Sequence, residues 1–251
     1  MLVENPKGNY HFLKGSSAYS SGVVAALGYE IVQVTLNSLL SFQSGFDLMA
    51  RHLASAGRPM QAVCAMELCS PRPFSFEGFA EFNHGYHAVL ADAEILVDTL
   101  NPVARTNVAP EVDPPAEPSL HAFSYTVPHP GSKVRPTFVV AGAGELVESR
   151  LNPQSIVRPN EVSADAMREK AAHVMRCMTG RLRGLGVSWD EVNVVNIYTV
   201  HDVFPFFQEE VLAVAGAGVR HGVRLHYARP PIAGLDYEMD VRGVRTELYL
   251  G

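Results

Sequence analysis

The sequence predicts an α+β protein built from two successive units, each a mixed β-sheet with two helices packed on one face. Apolar residues recur at helical spacing in four stretches, β-branched runs separate those stretches, and prolines cluster between the two halves of the 251 residues. Pro102, Pro110, Pro114, Pro115 and Pro118, followed by Pro128, Pro130 and Pro136, should lie in loops or at sheet edges, because proline fixes φ and has no amide to donate. They place the boundary near residue 130, giving units 1–130 and 131–251.

In the first unit, Ile31 to Leu36 reads as a strand. Phe42, Phe46, Met49, Ala50 and Leu53 mark a helix that ends at Gly57. Met60 to Leu68 is a second strand, and Phe76, Phe79, Phe82, Tyr86 and Val89 mark a second helix. Leu120 to Val127 is β-rich and closes the unit.

The second unit follows the same order. Phe138 to Ala141 is a short apolar strand ending in Gly142-Ala143-Gly144. Ser163 is placed to cap a helix, with Asp165 favourable in its first turn. Met167, Ala171, Val174, Met175, Met178, Leu182 and Leu185 form its stripe, and Gly184 and Gly186 stop it. Val192 to Val200 is a strand, Val203 to Val214 a helix, and Val223 to Ala228 and Leu235 to Val241 are closing strands. Gly57 and Phe76 are 19 positions apart, Gly186 and Phe204 18, which is the spacing an internal duplication would leave. Helices on one face leave the other face of each sheet needing cover, from a neighbouring chain or from the other half.

Composition excludes several functions. Twenty Lys+Arg against 26 Asp+Glu give a net charge of −6, with no basic block, so nucleic acid is not the expected partner. No apolar run is long enough to span a bilayer. The first residues lack the layout of a signal peptide, and three cysteines (Cys64, Cys69, Cys177) are no disulfide framework, so a cytoplasmic protein is expected.

Most motif candidates reduce to ordinary structure. Gly142-Ala143-Gly144 and Gly216-Ala217-Gly218 lack the third glycine of a dinucleotide fingerprint, residues 147 and 221 being Val and His. His84 and His87 have no HExxH pattern or carboxylate cluster, and read as solvent-facing or locally bonded. Cys64 and Cys69, five apart on one strand, should point to opposite faces, so no metal is expected. Lys14-Gly15-Ser16-Ser17 is similar to the serine-rich segment of amidases, but the chain is far shorter and a loop is the better reading.

Two segments remain open. Arg105, just after a proline-led turn in Asn101 to Val108, offers a rigid fork for a carboxylate or else a surface salt bridge. Asp236, Glu238 and Asp240 share one face of the last strand, which is unusual if that face is buried and ordinary if it is solvated.

The order of these elements resembles the Rid (YjgF-type) imine deaminases. The matching stretches are Ala18-Tyr19-Ser20, Ala56-Gly57 through Val63, Phe76 through Asn83 and Val103-Ala104-Arg105-Thr106-Asn107-Val108. In the second half they are Phe138 to Gly142, Leu185 to Val192, and Ala228-Arg229-Pro230-Pro231 through Glu238-Met239-Asp240. The resemblance implies two tandem Rid-like (chorismate-mutase-like) domains and a trimer with sites between neighbouring domains. In that family an arginine holds the substrate carboxylate, a tyrosine lines the pocket, a glycine amide assists and a final-strand glutamate positions water.

Carried over, Tyr19, Arg105 and Asn107 match in the first half, whose acidic position falls among His121, Ala122 and Ser124. Gly142 and either Glu238 or Asp240 match in the second half, whose arginine position falls near Gly222, between Arg220 and Arg224. The departures are complementary and imply one composite site drawing Arg105 from one copy and an acid from another. The whole chain is also similar to the 2-aminomuconate and 2-amino-5-chloromuconate deaminases of nitroaromatic breakdown.

The implied reaction is hydrolytic deamination of an enamine/imine carboxylate, with Arg105 fixing a carboxylate and Glu238 or Asp240 acting as base toward water. The imine is already electrophilic, so neither metal nor organic cofactor is required. A dicarboxylate substrate should want a second cation, from Arg220, Arg224 or Arg229. The alternatives are a non-catalytic ligand-binding or chaperone-like module of the same fold, and a chorismate-type hydrolase releasing pyruvate.

Overall fold

A computed structural model describes residues 2–131, 135–147 and 151–251. The described residues form two mixed sheets that face one another, with helices on both outer faces. The chain runs β1 (Leu2–Asn5), β2 (Tyr10–Leu13), β3 (Gly22–Ala25), β4 (Tyr29–Ser41), α1 (Phe42–Ser55), β5 (Val63–Cys69), α2 (Phe76–Asp92), β6 (Ala104–Pro110) and β7 (Ser119–Pro128). It continues through β8 (Phe138–Gly144), α3 (Ala164–Leu185), β9 (Val194–Tyr198), α4 (residues 204–215), β10 (Arg224–His226), β11 (Ala228–Arg229), β12 (Glu238–Gly243) and β13 (Thr246–Leu250).

The helices form for local reasons. Ser41, Ser75 and Ser163 each accept a hydrogen bond from the third following amide at the N-termini of α1, α2 and α3. Gly186, at φ +76°, ends α3 in the left-handed conformation that glycine adopts without strain. Phe46, Met49, Leu53, Tyr86 and Leu90 on α1 and α2 pack against Val34, Met66 and Phe123. Met167, Val174, Met178 and Leu182 on α3 and Val211 on α4 pack against Phe138, Val140, Ile197, Met239 and Val241. Each large side chain so buried contributes about 1.5–3 kcal/mol. Between the sheets lies a third layer that includes Tyr10, Phe12, Val23, Ile31, Ala104 and Ala141. Each sheet's second face is therefore covered by the other half of the same chain.

The strand order is β1-β2-β3-β8-β12-β9-β10 in one sheet and β11-β6-β5-β7-β4-β13 in the other. Both contain the same four-strand pattern: β4-β7-β5-β6 and β8-β12-β9-β10 share their order and their parallel and antiparallel senses. The halves exchange strands around this pattern. Residues 2–25, N-terminal to β4, supply β1–β3 to the sheet of the second half, while β11 and β13 join the sheet of the first. The proline-rich segment around residue 130 thus separates the two repeated patterns but not the two sheets.

Several local expectations change. Pro102 precedes β6 and Pro110 is its last residue, so the strand fits within the proline-rich stretch. The helix after β9 is interrupted by π-type turns over Phe207–Leu212. The last long strand begins at Glu238, because Leu235 to Tyr237 are still loop. Cys64 and Cys69 both lie toward the inner side, since register shifts at Val63/Ala65 and Glu67/Leu68 break the alternation. Both thiols are buried and pushed up, Cys69 to about 12. Among the described residues no group of three His, Cys, Asp or Glu side chains is placed to hold a metal ion, and no helix is long and apolar enough to cross a membrane.

Candidate functional site

The site lies where β6 of one sheet crosses β8 of the other. The segment carrying Tyr19 is stapled across this crossing. Asn101 Nδ2 donates to the Ala18 carbonyl at 2.7 Å, Ser20 Oγ donates to the Pro102 carbonyl at 3.0 Å, and Ser20 N donates to the Val103 carbonyl at 2.9 Å. On the far side, Phe74 N donates to the Pro231 carbonyl and Ala233 N to the Phe74 carbonyl, both at 2.8 Å, fixing the loop before β12. These ties bring Tyr19, Arg105, Asn107, Gly142 and Glu238 to one cavity of about 40 Å³, closed on its apolar side by Phe79, Leu146, Ile232 and Leu235.

Arg105 is only 2% exposed, which removes the surface salt-bridge reading. Its guanidinium carbon lies 4.9 Å from the Tyr19 ring centroid, 4.7 Å from that of Tyr86, and 5.5 Å from those of Phe79 and Phe82. Stacked cation–π contacts of this kind hold the fork in place. Nη2 donates to Asn83 Oδ1 at 2.7 Å, while Nε and Nη1 are buried without a hydrogen-bond partner. Burial pushes the guanidinium below its ordinary value, opposed by Tyr86, Tyr19 and Glu238. Asn107 is alike: Ser70 donates to its Oδ1 at 2.9 Å, and its Nδ2 has no partner. Of the four buried side-chain polar atoms left without a partner among the described residues, three belong to this pair. Each such donor costs about 1–3 kcal/mol, so a protein holding three in one cavity is built around something that accepts from them.

Glu238 and Asp240 both face inward and are nearly fully buried, so the strand face is not a solvated one. Their neighbours differ. Asp240 receives hydrogen bonds from Thr106 Oγ1 (2.8 Å), Asn196 Nδ2 (2.8 Å) and Tyr198 OH (2.9 Å), and lies outside the cavity's lining. Burial and Glu67 push its carboxyl up to about 6, while Arg242 opposes the shift. Glu238 lines the cavity. Burial first, then Asp240 and Glu145, push its carboxyl well above the carboxylate range, with Arg181 and Arg105 pulling the other way. A β-bulge sets these two acids apart: Met239 pairs with Ala143 and Val241 with Val140, so Ala141 and Gly142 together stand opposite Asp240. A Cβ at position 142 would collide with Glu238 Oε1, and the absence of one lets the carboxylate lie across β8.

Behind Glu238, Glu145 accepts hydrogen bonds from the amides of Asp236 (2.6 Å) and Tyr237 (3.1 Å). Fully buried Lys170 pairs with Glu145 at 3.3 Å and with Asp236. This triad pins the turn that delivers Glu238.

The cavity opens into a cleft of about 900 Å³, sharing Tyr19, Phe79, Gly144, Leu146 and Leu151 with it. His84 and His87, read from sequence as incidental, and the Lys14–Ser17 loop line this cleft, as does Arg181. Arg220, Arg224 and Arg229 do not line it. Arg224 lies 4.0 Å from Glu247, Arg229 is paired with Glu111, and the Arg220 Nε donates to the Ala217 carbonyl, so the second cation expected there is misplaced. Sequence reasoning also missed Asn83 and took Phe79, Phe82 and Tyr86 for core. The signal was Asn83, a polar residue inside an otherwise apolar 79/82/86 stripe.

Comparison with known proteins agrees on the family. The family model described as 2-aminomuconate deaminase CnbZ matches residues 2–248. A 2-amino-5-chloromuconate deaminase of Comamonas testosteroni is 38% identical over 244 residues, covering 97% of this chain and 96% of that protein. Among solved structures, a chorismatase aligns at a TM-score of 0.48 and 11% identity, over 89% of this chain and 77% of its own. A YjgF/YER057c/UK114 family member from Mycobacterium tuberculosis aligns at 0.29 and 17% identity, over 45% and 82%. The full-length model match and the 38% identity along nearly the whole of both chains place this protein in the 2-aminomuconate deaminase CnbZ family.

Proposed function

We propose that the chain is a hydrolytic deaminase acting on 2-aminomuconate or a chlorinated derivative. The observation that carries this is the set of three orphaned donors on Arg105 and Asn107, facing Glu238 in one buried cavity. In this reading the carboxylate next to the reacting carbon accepts from an unpartnered N–H of Arg105, and the planar guanidinium, tied to Asn83 through Nη2, fixes the direction of that donor. Asn107 Nδ2 supplies a further donor to the carboxylate or to the adding water.

The substrate reacts as its imine tautomer. Glu238 takes a proton from water as the water oxygen adds to the imine carbon, and the nitrogen is protonated in turn. The C–N bond of the resulting aminoalcohol then breaks, ammonia leaves, and the hydroxyl loses its proton to give the 2-oxo acid. One water is consumed and one ammonia released, with no change of oxidation state. Burial holds this carboxyl above its ordinary range, which raises its affinity for the proton it takes. Asp240, saturated by Thr106, Asn196 and Tyr198, serves as a buttress that fixes β6 against β12.

The repeated strand pattern supports reading each half as a Rid-type unit, with the arginine kept in one and the glutamate in the other. All five site residues come from one chain. The resemblance further suggests a cytoplasmic homotrimer working in nitroaromatic breakdown, and sedimentation of the purified protein measures the assembly.

The direct test is ammonia release from freshly generated 2-aminomuconate by wild type and Glu238→Gln, with pyruvate release from chorismate followed in parallel. Ammonia from wild type and a loss of about a hundredfold or more in the variant support the reading. Pyruvate without ammonia replaces it with the chorismate-type hydrolase, and tight binding without either product replaces it with a binding module.

A further inference from the structure

Imine hydrolysis does not use every donor in the cavity. Arg105 Nε, Arg105 Nη1 and Asn107 Nδ2 are buried without partners, and the substrate carboxylate accepts from one of the guanidinium pair. Even with Asn107 Nδ2 given to the adding water, one guanidinium N–H is left over. Once ammonia has left, the reacting carbon carries a carbonyl oxygen. The 2-oxo acid is then the species that offers acceptors both at its carboxylate and at the carbon beside it. Buried, fixed donors act most strongly where negative charge develops, and a carbonyl oxygen gains such charge when the neighbouring carbon loses a proton.

Glu238 is placed to take that proton. It lines the same cavity of about 40 Å³ and lies across β8 at Gly142, where no Cβ stands in its way. Asp240 is saturated by three donors, whereas no hydrogen bond among the described residues is made to the Glu238 carboxyl. In the hydrolysis Glu238 reaches the water that adds to one face of the imine carbon. The next carbon is a single bond away, so its hydrogen on that face lies within the swing of the same carboxylate. Burial holds this carboxyl above its ordinary range, and a stronger base takes a proton from carbon faster.

We propose that this site has a second activity, the enolisation of 2-oxo acids, with Glu238 as the base and the spare donors of Arg105 and Asn107 receiving the enolate oxygen. The Glu238 carboxylate takes a proton from the carbon beside the carbonyl. The C–H electron pair forms a carbon–carbon double bond, and the carbonyl π pair moves onto oxygen, among the donors. Return of the proton to carbon regenerates the keto form, and its return to oxygen gives the enol. Nothing is oxidised or reduced, and no co-reactant is consumed. The ligand class is a 2-oxo acid with a hydrogen on the carbon next to its carbonyl, and it needs no nitrogen. The inference rests on Arg105 holding a carboxylate and Glu238 acting as base, as in the function proposed above. It adds a reaction that the deaminated product undergoes in the same place.

2-Oxoadipate tests this apart from deamination, because it is a saturated 2-oxo acid with no nitrogen to release. In deuterated buffer, proton NMR follows loss of the hydrogens beside its carbonyl, and those beside its far carboxylate serve as the internal standard. The cavity opens into the larger cleft, so a proton taken by Glu238 can exchange with solvent. Wild type should exchange these hydrogens at least about tenfold faster than buffer alone, well inside what a positioned base supplies. Because Glu238 works on one face, the first hydrogen should be lost well before the second. Glu238→Gln, shown to be folded by circular dichroism, should fall to the buffer rate. Arg105→Met and Asn107→Leu should each lower the enzyme's rate by about tenfold or more, as loss of an oxyanion donor does. A wild-type rate equal to that of buffer, a rate that survives in Glu238→Gln, or loss of both hydrogens at one rate would overturn the enolisation. Exchange that holds while 2-aminomuconate yields no ammonia leaves the enolisation standing and rejects the deaminase reading. Ammonia release with no exchange does the reverse.

Discussion

Replacing Arg105 with methionine separates a residue kept for function from one kept for stability. The fork presents two buried, unpartnered donors, Nε and Nη1, to the cavity. A hydrogen bond to a charged group is worth about 1.5–3 kcal/mol, and because the Nε and Nη1 hydrogens point along different edges of the guanidinium, a carboxylate accepting from one of them gains about that much. At about 1.4 kcal/mol per tenfold, Arg105→Met should lower kcat/KM by about one to two orders of magnitude. In the free protein the balance is different. Removing two unmet donors recovers about 1–3 kcal/mol each. Losing the Asn83 hydrogen bond and the contacts with Tyr19, Phe79, Phe82 and Tyr86 costs a similar amount. The two nearly cancel, so stability should change by no more than about 3 kcal/mol in either direction, or by roughly 10 °C in Tm for a chain of this size. Steady-state ammonia release and thermal unfolding on the same preparation measure both numbers. A variant that keeps kcat/KM within about threefold of wild type would refute the carboxylate assignment, and one that melts more than about 10 °C lower would show that Arg105 is held for packing.

Four further outcomes follow from the residues around that fork. Because burial raises the Glu238 carboxyl, kcat/KM should climb with pH through an apparent pKa above the ordinary carboxylate range, and Glu238→Gln should lose that limb. The same shift has a sign in stability. A carboxyl raised in the folded state contributes below its unfolded pKa and loses that contribution as pH rises through the folded one, so the Tm advantage of Glu238→Gln over wild type should grow as pH rises above the ordinary carboxylate range. Gly142→Ala should displace the Glu238 carboxylate and cut kcat/KM about a hundredfold at an overpacking cost of about 1–3 kcal/mol; full activity would show that Glu238 does not act from where it lies. Lys170→Met strands buried Glu145 and should cost about 3–5 kcal/mol in chemical denaturation, while adding Glu145→Gln should recover at least half of it.

What the sequence made legible was local. Serine caps, apolar stripes and Gly186 define α1, α2 and α3 because those signals sit within a few residues of each other. Strand partners are not local. The four-residue β1 and β2 carry too little alternation to stand out, and nothing in Leu2–Asn5 or Thr246–Leu250 says that each will cross to the other half's sheet. Periodicity identifies a strand and its faces, but pairing depends on residues elsewhere in the chain, as far away as Val32 is from Thr246. Arg105 shows the same division. Its residue type and the turn before it suggested a fork, but only the convergence of Tyr19 from one segment with Phe79, Phe82 and Tyr86 from α2 buries it. The second cation failed for that reason too: the arginine that lines the cleft, Arg181, comes from near the C-terminal end of α3, whose sequence shows only a core-facing, capped helix.

Glu238 and Asp240 mark where pattern stops and chemistry begins. Two residues apart on one strand, they share a face, and alternation predicts the same environment for both. The bulge at Ala141–Gly142 breaks that equivalence by placing two residues of β8 against one of β12. Asp240 is left facing donors from β6 and β9, and three of them saturate it. Glu238 is left over a glycine, at the edge of a cavity that it shares with Arg105 and Asn107, whose Nε, Nη1 and Nδ2 have no partner. A carboxylate already bonded to three donors is a poor base, because abstracting a proton means giving up bonds that stabilise its charge. One held above its ordinary range by burial gains by taking a proton. In the proposed reaction, packing and not residue type therefore makes Glu238 the base, through a glycine that only one of the two halves supplies at that place.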